Sequence, residues 1–290
     1  MANRRLLVKR RDSTRNIRKI TRTMQLIATA RFQAAFNRAT AGKPYTEKLS
    51  QLIEGLARAA SGIDHPLMKT HDTVKREALL VLTSDRGLCG GYNANILRAV
   101  SEHLDVRAEA GFETAVTMVG KKGVNNFKFR QRPVAEVVAE IGDAPRFEQV
   151  EPVANRLMDM FINGEISALH VGYMRFYSAG KQAAVVEQVL PLSYEAPEGE
   201  EAASEVLYEF SPSPQELLDE LLPASVRVQI FQAFTDAAVS EQVSRMVAMK
   251  AATDAAEDMI KRLTMQYNRA RQTQVTMELL DIVGGANALA

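Results

Sequence analysis

Residues 249–277, MKAATDAAEDMIKRLTMQYNRARQTQVTM, place Met249, Thr253, Ala256, Ile260, Leu263, Tyr267, Ala270, Gln274 and Met277 in unbroken alternating steps of four and three. A seam with a mean spacing of about 3.5 residues stays on one face only along a long α-helix wound against a neighbour. Ala256 and Ala270 on that seam leave room for the neighbour to come close. No Pro or Gly occurs between Pro223 and Gly284, so Pro223 fits the first helical turn and Gly284-Gly285 the stop.

The other end of the chain carries a similar signal. Ile17, Ile20, Met24 and Ile27 recur in steps of three and four, and Arg31 and Ala34 continue the count. This spacing predicts a second heptad seam. Asp12, Ser13 and Thr14 are candidate caps for its start, although the basic residues upstream could equally lie on an earlier helical turn. Gly42-Lys43-Pro44 should weaken or bend the helix before the pattern resumes at Leu49, Leu52, Ile53 and Leu56. Two long helices flanking a globular middle predict a folded-back, antiparallel coiled coil.

Between them, Ala78–Thr83, Ala115–Val119, Ser167–Tyr173 and Ala184–Leu190 read as strands, with helical stretches near 93–108 and 147–162. Strand and helix in alternation predict a largely parallel, Rossmann-like α/β domain inserted between the terminal helices. A solvated loop is expected at 196–204, a short strand at 206–210 and a break at the SPSP of 211–214. The expected domains are residues 1–60 and 213–290 for the coiled-coil helices and 75–210 for the α/β unit.

The formal net charge of +1 hides strong segregation. Residues 1–40 carry eleven Arg or Lys and one acid, whereas residues 182–226 carry ten acids and no Arg or Lys. Segregation of this kind points to different partners for different parts of the chain. The chain shows no run of the roughly 18 apolar residues that a membrane helix needs, and its first residues lack the apolar core of a secretory signal, so a cytoplasmic protein is expected. The single cysteine, Cys89, excludes an intrachain disulfide and a multi-cysteine metal site. His65, His71, His103 and His170 show no ligand spacing, so no metal is expected.

The loop after the first strand, Ser84-Asp85-Arg86-Gly87-Leu88-Cys89-Gly90-Gly91-Tyr92-Asn93, invites comparison with a phosphate cradle. Its order, G-x-x-G-G followed by Tyr-Asn, lacks both the G-x-G-x-x-G of a dinucleotide site and the Lys-Ser/Thr pair of a P-loop. A tight strand-to-helix turn is the simpler reading. Cys89 reads as a packed small residue, because no sequence evidence gives it an activating base. Asp85 and Glu278 are candidate paired acids only if the fold joins them. The basic arm has the composition of a nucleic-acid patch, but its only aromatics before residue 40 are Phe32 and Phe36, and its seam demands a protein neighbour. A partner with complementary acidic loops, a nucleotide-using α/β enzyme and a basic nucleic-acid binder remain the three functional classes.

Several ordered motifs resemble the gamma-subunit family of F-type ATP synthases. Asn16–Ala28 (NIRKITRTMQLIA) is similar to the family's N-terminal helix pattern, and SDRGLCGGYN at 84–93 resembles the family's loop almost letter for letter. Toward the C-terminus, Ser240–Met246, Ala248–Asp254, Tyr267–Gln272 and Val275–Ala286 follow in the family's order. Residues 94–240 match mainly in layout. Arg31 stands where the family usually has Lys, Ala255 where Asn is common and Thr23 where Ala is usual. The cysteine-bearing insertion of the chloroplast relatives is missing.

The resemblance implies a non-catalytic rotor shaft that binds no cofactor or nucleic acid. It would turn inside a ring of three alpha and three beta subunits, with its base and head on the membrane c-ring beside epsilon. It further implies coupling and interface residues at Met24, Arg31, Arg271, Gln272, Thr276 and Glu278. A bearing tip would fall at Ile282, Val283, Gly284, Gly285 and Ala286. The basic arm would face the catalytic ring.

Overall fold

The computed structural model describes residues 4–59, 65–71, 73–139, 141–192 and 214–289. The expected loop at 196–204, the strand at 206–210 and residues 211–213 of the SPSP break lie outside these residues. The elements in chain order are α1 (Arg4–Ala59), a 3₁₀ turn (Pro66–Met68), β1 (Arg76–Leu82), α2 (Tyr92–Glu109), β2 (Glu113–Val119) and α3 (Lys121–Phe129). β3 (Glu136–Val138), α4 (Phe147–Ile162), β4 (Ala168–Ser178), β5 (Lys181–Leu190) and α5 (Pro214–Leu289) follow. The chain divides into two compact units, one of residues 1–30 with 245–290 and one of residues 31–244.

The larger unit is built on a five-stranded sheet in the order β3-β2-β1-β4-β5. Neighbours among the first four are parallel, and β5 returns antiparallel to β4. β1 is buried on both faces from Glu77 to Leu82, as a central strand covered by helices on each side must be. Ala78, Leu80 and Leu82 face a core with Leu157 and Phe161 of α4, Ile53 of α1 and Leu222, Val226 and Ile230 of α5. Leu79 and Val81 face the opposite way, against Ile96 and Val100 of α2 and Phe127 of α3. Each fully buried Leu, Ile or Phe contributes about 1.5–3 kcal/mol, so these two layers hold the unit together.

α3 and β3 are additions to the expected scheme. The segment Lys121–Phe129 contains Gly123, Asn125 and Asn126, all weak helix formers, and it is organised from outside. The Asp85 carboxylate accepts from the Lys121 N–H at 3.1 Å, and the Thr83 hydroxyl accepts from the Gly123 N–H at 3.0 Å. Gly120 has φ 90°, and a Cβ there would lie 2.1 Å from the Thr83 carbonyl oxygen. Only glycine allows that approach.

Several expectations about the helices need correction. Pro223 lies inside α5, not in its first turn; the helix begins at Pro214. An interior proline costs about 3 kcal/mol, and it is tolerated because Leu218, Leu222 and Val226 around it are wholly buried. Asp12, Ser13 and Thr14 likewise lie inside α1, which begins at Arg4, and do not cap its start; Pro44 falls within the same helix. Gly284-Gly285 does not stop α5, which runs on to Leu289; each glycine costs the helix about 1 kcal/mol relative to alanine without ending it.

The N-terminal seam is also displaced by one residue. In the smaller unit Leu7, Thr14 and Ala28 are buried and Arg11, Arg18, Thr21 and Gln25 half-buried, a 4-3 series of its own. Ile17 and Ile20 are 50% and 60% exposed and Ile27 is exposed too; one residue is a turn of about 100° round the helix. Hydropathy alone puts the isoleucines inside. The facing helix instead brings Thr253 and Ala256 to the seam, where small and hydroxyl-bearing residues pack closest. On α5 the expected seam holds, with Met249, Thr253, Ala256 and Leu263 buried. Burial then fades through Tyr267 and Ala270, and Gln274 and Met277 are exposed.

Candidate functional site

The smaller unit pairs the start of α1 with the end of α5 in antiparallel register. The Thr253 hydroxyl donates to that of Thr21 at 2.8 Å, and Thr14 Oγ1 lies 3.7 Å from the Met259 sulfur. The Arg11 guanidinium stands 5.3 Å above the Tyr267 ring. Arg18 and Glu257 form an ion pair at 3.7 Å with both side chains substantially exposed, and such pairs are worth about 0–1 kcal/mol. The seam therefore combines the buried Leu7, Met249 and Leu263 with small groups and a few polar contacts. The large apolar side chains Ile17, Ile20, Leu26 and Ile27 of α1, and Met265 of α5, are exposed together with most of the arginines and lysines.

This register brings the first turn of α1 level with the region near Ala270. Every side chain described from Arg271 to Ile282 and on to Gly284 is exposed. The stretch from Arg271 to Leu289 is a single helix about 28 Å long at 1.5 Å per residue, ending in an apolar run that includes Leu279, Leu280, Ile282 and Val283.

The residues singled out by resemblance fall at separate places. Met24 is half-buried beside the Thr21–Thr253 contact. Arg271, Gln272, Thr276 and Glu278 lie on the single helix, at least 18 residues beyond Thr253, or about 27 Å along α5. Thr276 donates to the Gln272 carbonyl at 2.9 Å, and Glu278 accepts from the Gln274 amide at 2.8 Å. Arg31 belongs to the larger unit, where its guanidinium donates to the Asp143 carboxylate. Ile282, Val283 and Ala286 are exposed at the tip, and nothing lies within 4 Å of where a Gly284 side chain would start; Gly285 continues the helix. Met24 and the α5 residues are thus strung along the helix pair, not gathered in one patch.

In the larger unit, the loop at 84–93 is held by its own polar groups. The Asn93 amide accepts from the Ser84 N–H at 3.0 Å and donates to the Ser84 hydroxyl at 2.7 Å, and that hydroxyl donates to the Arg86 carbonyl at 2.7 Å. Cys89 is buried, within 3.8 Å of Ser84 Oγ and the Arg86 carbonyl. These contacts build a rigid strand-to-helix turn. Asp85 caps α3, and Glu278 is engaged on α5, so each carboxylate has a local structural task. Among the described residues no helix is long and apolar enough to cross a membrane.

The fold has close counterparts. Over 94% of this chain and 98% of its own length, the rotor of the Euglena gracilis mitochondrial ATP synthase superposes with TM-score 0.65 at 15% identity. A chain of the OSCP/F1/c-ring assembly from the same source superposes with TM-score 0.69 at 17% identity, over 99% of this chain and 94% of that one. In sequence, a family model described as ATP synthase matches residues 3–289. The ATP synthase gamma chain of Rhodopirellula baltica is 46% identical over 294 residues, covering 100% of this chain and 99% of the relative. That of Brevibacillus brevis is 40% identical over 278 residues, 96% of each. With helix pair, inserted sheet and whole-length identity all in agreement, the chain belongs to the ATP synthase gamma-chain family, the non-catalytic central-stalk subunits of a rotary enzyme.

Proposed function

We propose that this chain turns as the central shaft inside a ring of three alpha and three beta subunits, coupling ion flow through a membrane c-ring to ATP synthesis or hydrolysis at the beta subunits. The observation that carries this reading is the reversal of polarity on the two-helix unit. Its seam holds threonines and alanines beside Leu7, Met249 and Leu263, while Ile17, Ile20, Ile27, Met265 and most of the cations face outward, where a surrounding ring would meet them.

An asymmetric shaft in a ring of three like sites touches each differently. That difference in contact free energy is what favours one conformation over another at each site. In this reading Met24, Arg271, Gln272, Thr276 and Glu278 make the orientation-dependent contacts, and Arg31 adds an interface position further along α1. Ile282, Val283, Gly284, Gly285 and Ala286 turn in the bearing, because an apolar, small-residue tip has few directional hydrogen bonds to break. The domains of this shaft are residues 1–60, 75–210 and 213–290. The α/β unit and epsilon would rest on the c-ring, so membrane contact is indirect and the subunit is peripheral, on the cytoplasmic face of the inner membrane.

The double substitution Arg271→Ala with Gln272→Ala in the assembled complex tests the coupling residues. Protons pumped per ATP hydrolysed should fall, with the complex still assembled. A ratio equal to that of the wild type overturns the assignment.

A further inference from the structure

Behind the sheet, on the side covered by α2, four ionisable side chains meet. Glu77 of β1 is 1% exposed, and the Arg107 guanidinium of α2 donates to both of its carboxylate oxygens, from Nε at 2.8 Å. His170 is on the adjacent strand β4, paired with Leu79. One turn before Arg107, His103 brings its ring to 4.6 Å from that of His170. The close approach is enforced nearby: a Cβ at Gly172 would lie 2.8 Å from Val100 Cγ2, so only glycine lets α2 sit this low on β4.

Two atoms in this cluster lack hydrogen-bond partners. His103 Nε2 and His170 Nδ1 are buried and unpaired, and His170 is only 7% exposed. An unsatisfied buried polar atom costs about 1–3 kcal/mol. His170 Nδ1 lies 4.0 Å from a Glu77 oxygen, and one ligand atom each from Glu77, His103 and His170 fall within 4.8 Å of one another. We propose that Glu77, His103 and His170 form a binding site for one divalent cation of the zinc type.

Two imidazoles and one carboxylate are a donor set that suits zinc, and they leave a fourth coordination position open. Four-coordinate zinc with bonds of about 2.0–2.2 Å holds its ligand atoms about 3.3–3.5 Å apart, so a pair as far apart as 4.8 Å must close by about 1.3–1.5 Å, shared between its two side chains. A neutral imidazole ligates through a ring nitrogen, and His103 Nε2 and His170 Nδ1 are buried nitrogens with no hydrogen-bond partner to give up. Arg107 is the competitor. It now neutralises Glu77, and a dication would take over that role as the guanidinium, already 4.1 Å from the Phe112 ring, moves toward solvent. The bound ion would pin α2 to β1 and β4.

Titration of the full chain with Zn²⁺ at pH 7.5 against a chromophoric chelator tests the site. One equivalent should bind to the wild type. Glu77→Gln and His170→Gln should weaken that binding at least tenfold, and His65→Gln and His71→Gln should leave it unchanged. Arg107→Gln should tighten binding and gain more thermal stability from Zn²⁺ than the wild type does. Equal affinity in the wild type and His170→Gln, or weakening by Arg107→Gln, overturns the proposal. Should the site variants fail to fold, Co²⁺ added to the wild type decides. Intense visible bands of a four-coordinate ion support the site, and the pale spectrum of a six-coordinate ion overturns it.

Discussion

The two compact units of this chain use apolar residues in opposite ways. In the larger unit Leu79, Leu80, Phe127, Phe161 and Ile53 are almost wholly buried, and the sheet is sealed on both faces. In the smaller unit the inner seam mixes Leu7, Met249 and Leu263 with threonines and alanines, and the isoleucines of α1 lie outside. The larger unit is thus stabilised from within. The smaller one holds its two helices with modest contacts and keeps its most adhesive surface for something else.

The largest effects that test this contrast are core truncations. Phe161→Ala should cost about 3–5 kcal/mol, read from urea unfolding of the full chain followed by far-UV circular dichroism. Leu263→Ala on the seam should cost clearly less, near the low end of about 2–5 kcal/mol for such changes. Equal losses would erase the distinction between the units. A middle-sized effect is expected from Thr253→Ala, which removes the hydroxyl contact with Thr21 and should destabilise the helix pair by about 1 kcal/mol. Amide exchange in residues 4–30 and 245–270 reads it, and Thr253→Ser should restore most of the loss. Faster exchange confined to the sheet would contradict the assignment. Smallest of all, Ile20→Ser should leave the stability of the free chain within about 0.5 kcal/mol of the wild type. The same change should weaken incorporation into the alpha-beta ring, measured by co-purification; a marked loss of stability in the free chain would return Ile20 to the seam.

What the amino-acid sequence made legible follows the strength of each physical signal. The α5 seam reads directly because four heptads in a row admit one register, and β1, β2, β4 and β5 read as β-rich runs between turns. The α1 seam misleads, because a helix that is apolar on an outer face offers hydropathy two stripes to choose from. Neither stripe is labelled. α3 escapes notice because Gly123, Asn125 and Asn126 argue against a helix, and the groups that organise it, Thr83 and Asp85, lie some 36–40 residues away. The Glu77, His103 and His170 cluster is invisible to spacing for the same reason: the pairing of β1 with β4 creates it. Its one local trace is the i, i+4 placement of His103 and Arg107 on a helix. As for Arg271, Gln272, Thr276 and Glu278, they are exposed helical residues like their neighbours, so only motif resemblance singles them out.

The lone helix beyond Arg271 also bears on how the chain fares before it is taken up. A stretch of that length is marginal by itself in water, and here it contains two glycines and ends in an apolar run with every described side chain exposed up to Gly284. In an unassembled chain this stretch should open readily and offer exposed apolar side chains to chaperones and proteases. If the tip turns in a bearing as proposed, assembly would sheathe it, and the same segment would then act as a quality mark that leaves orphan chains vulnerable and assembled ones protected.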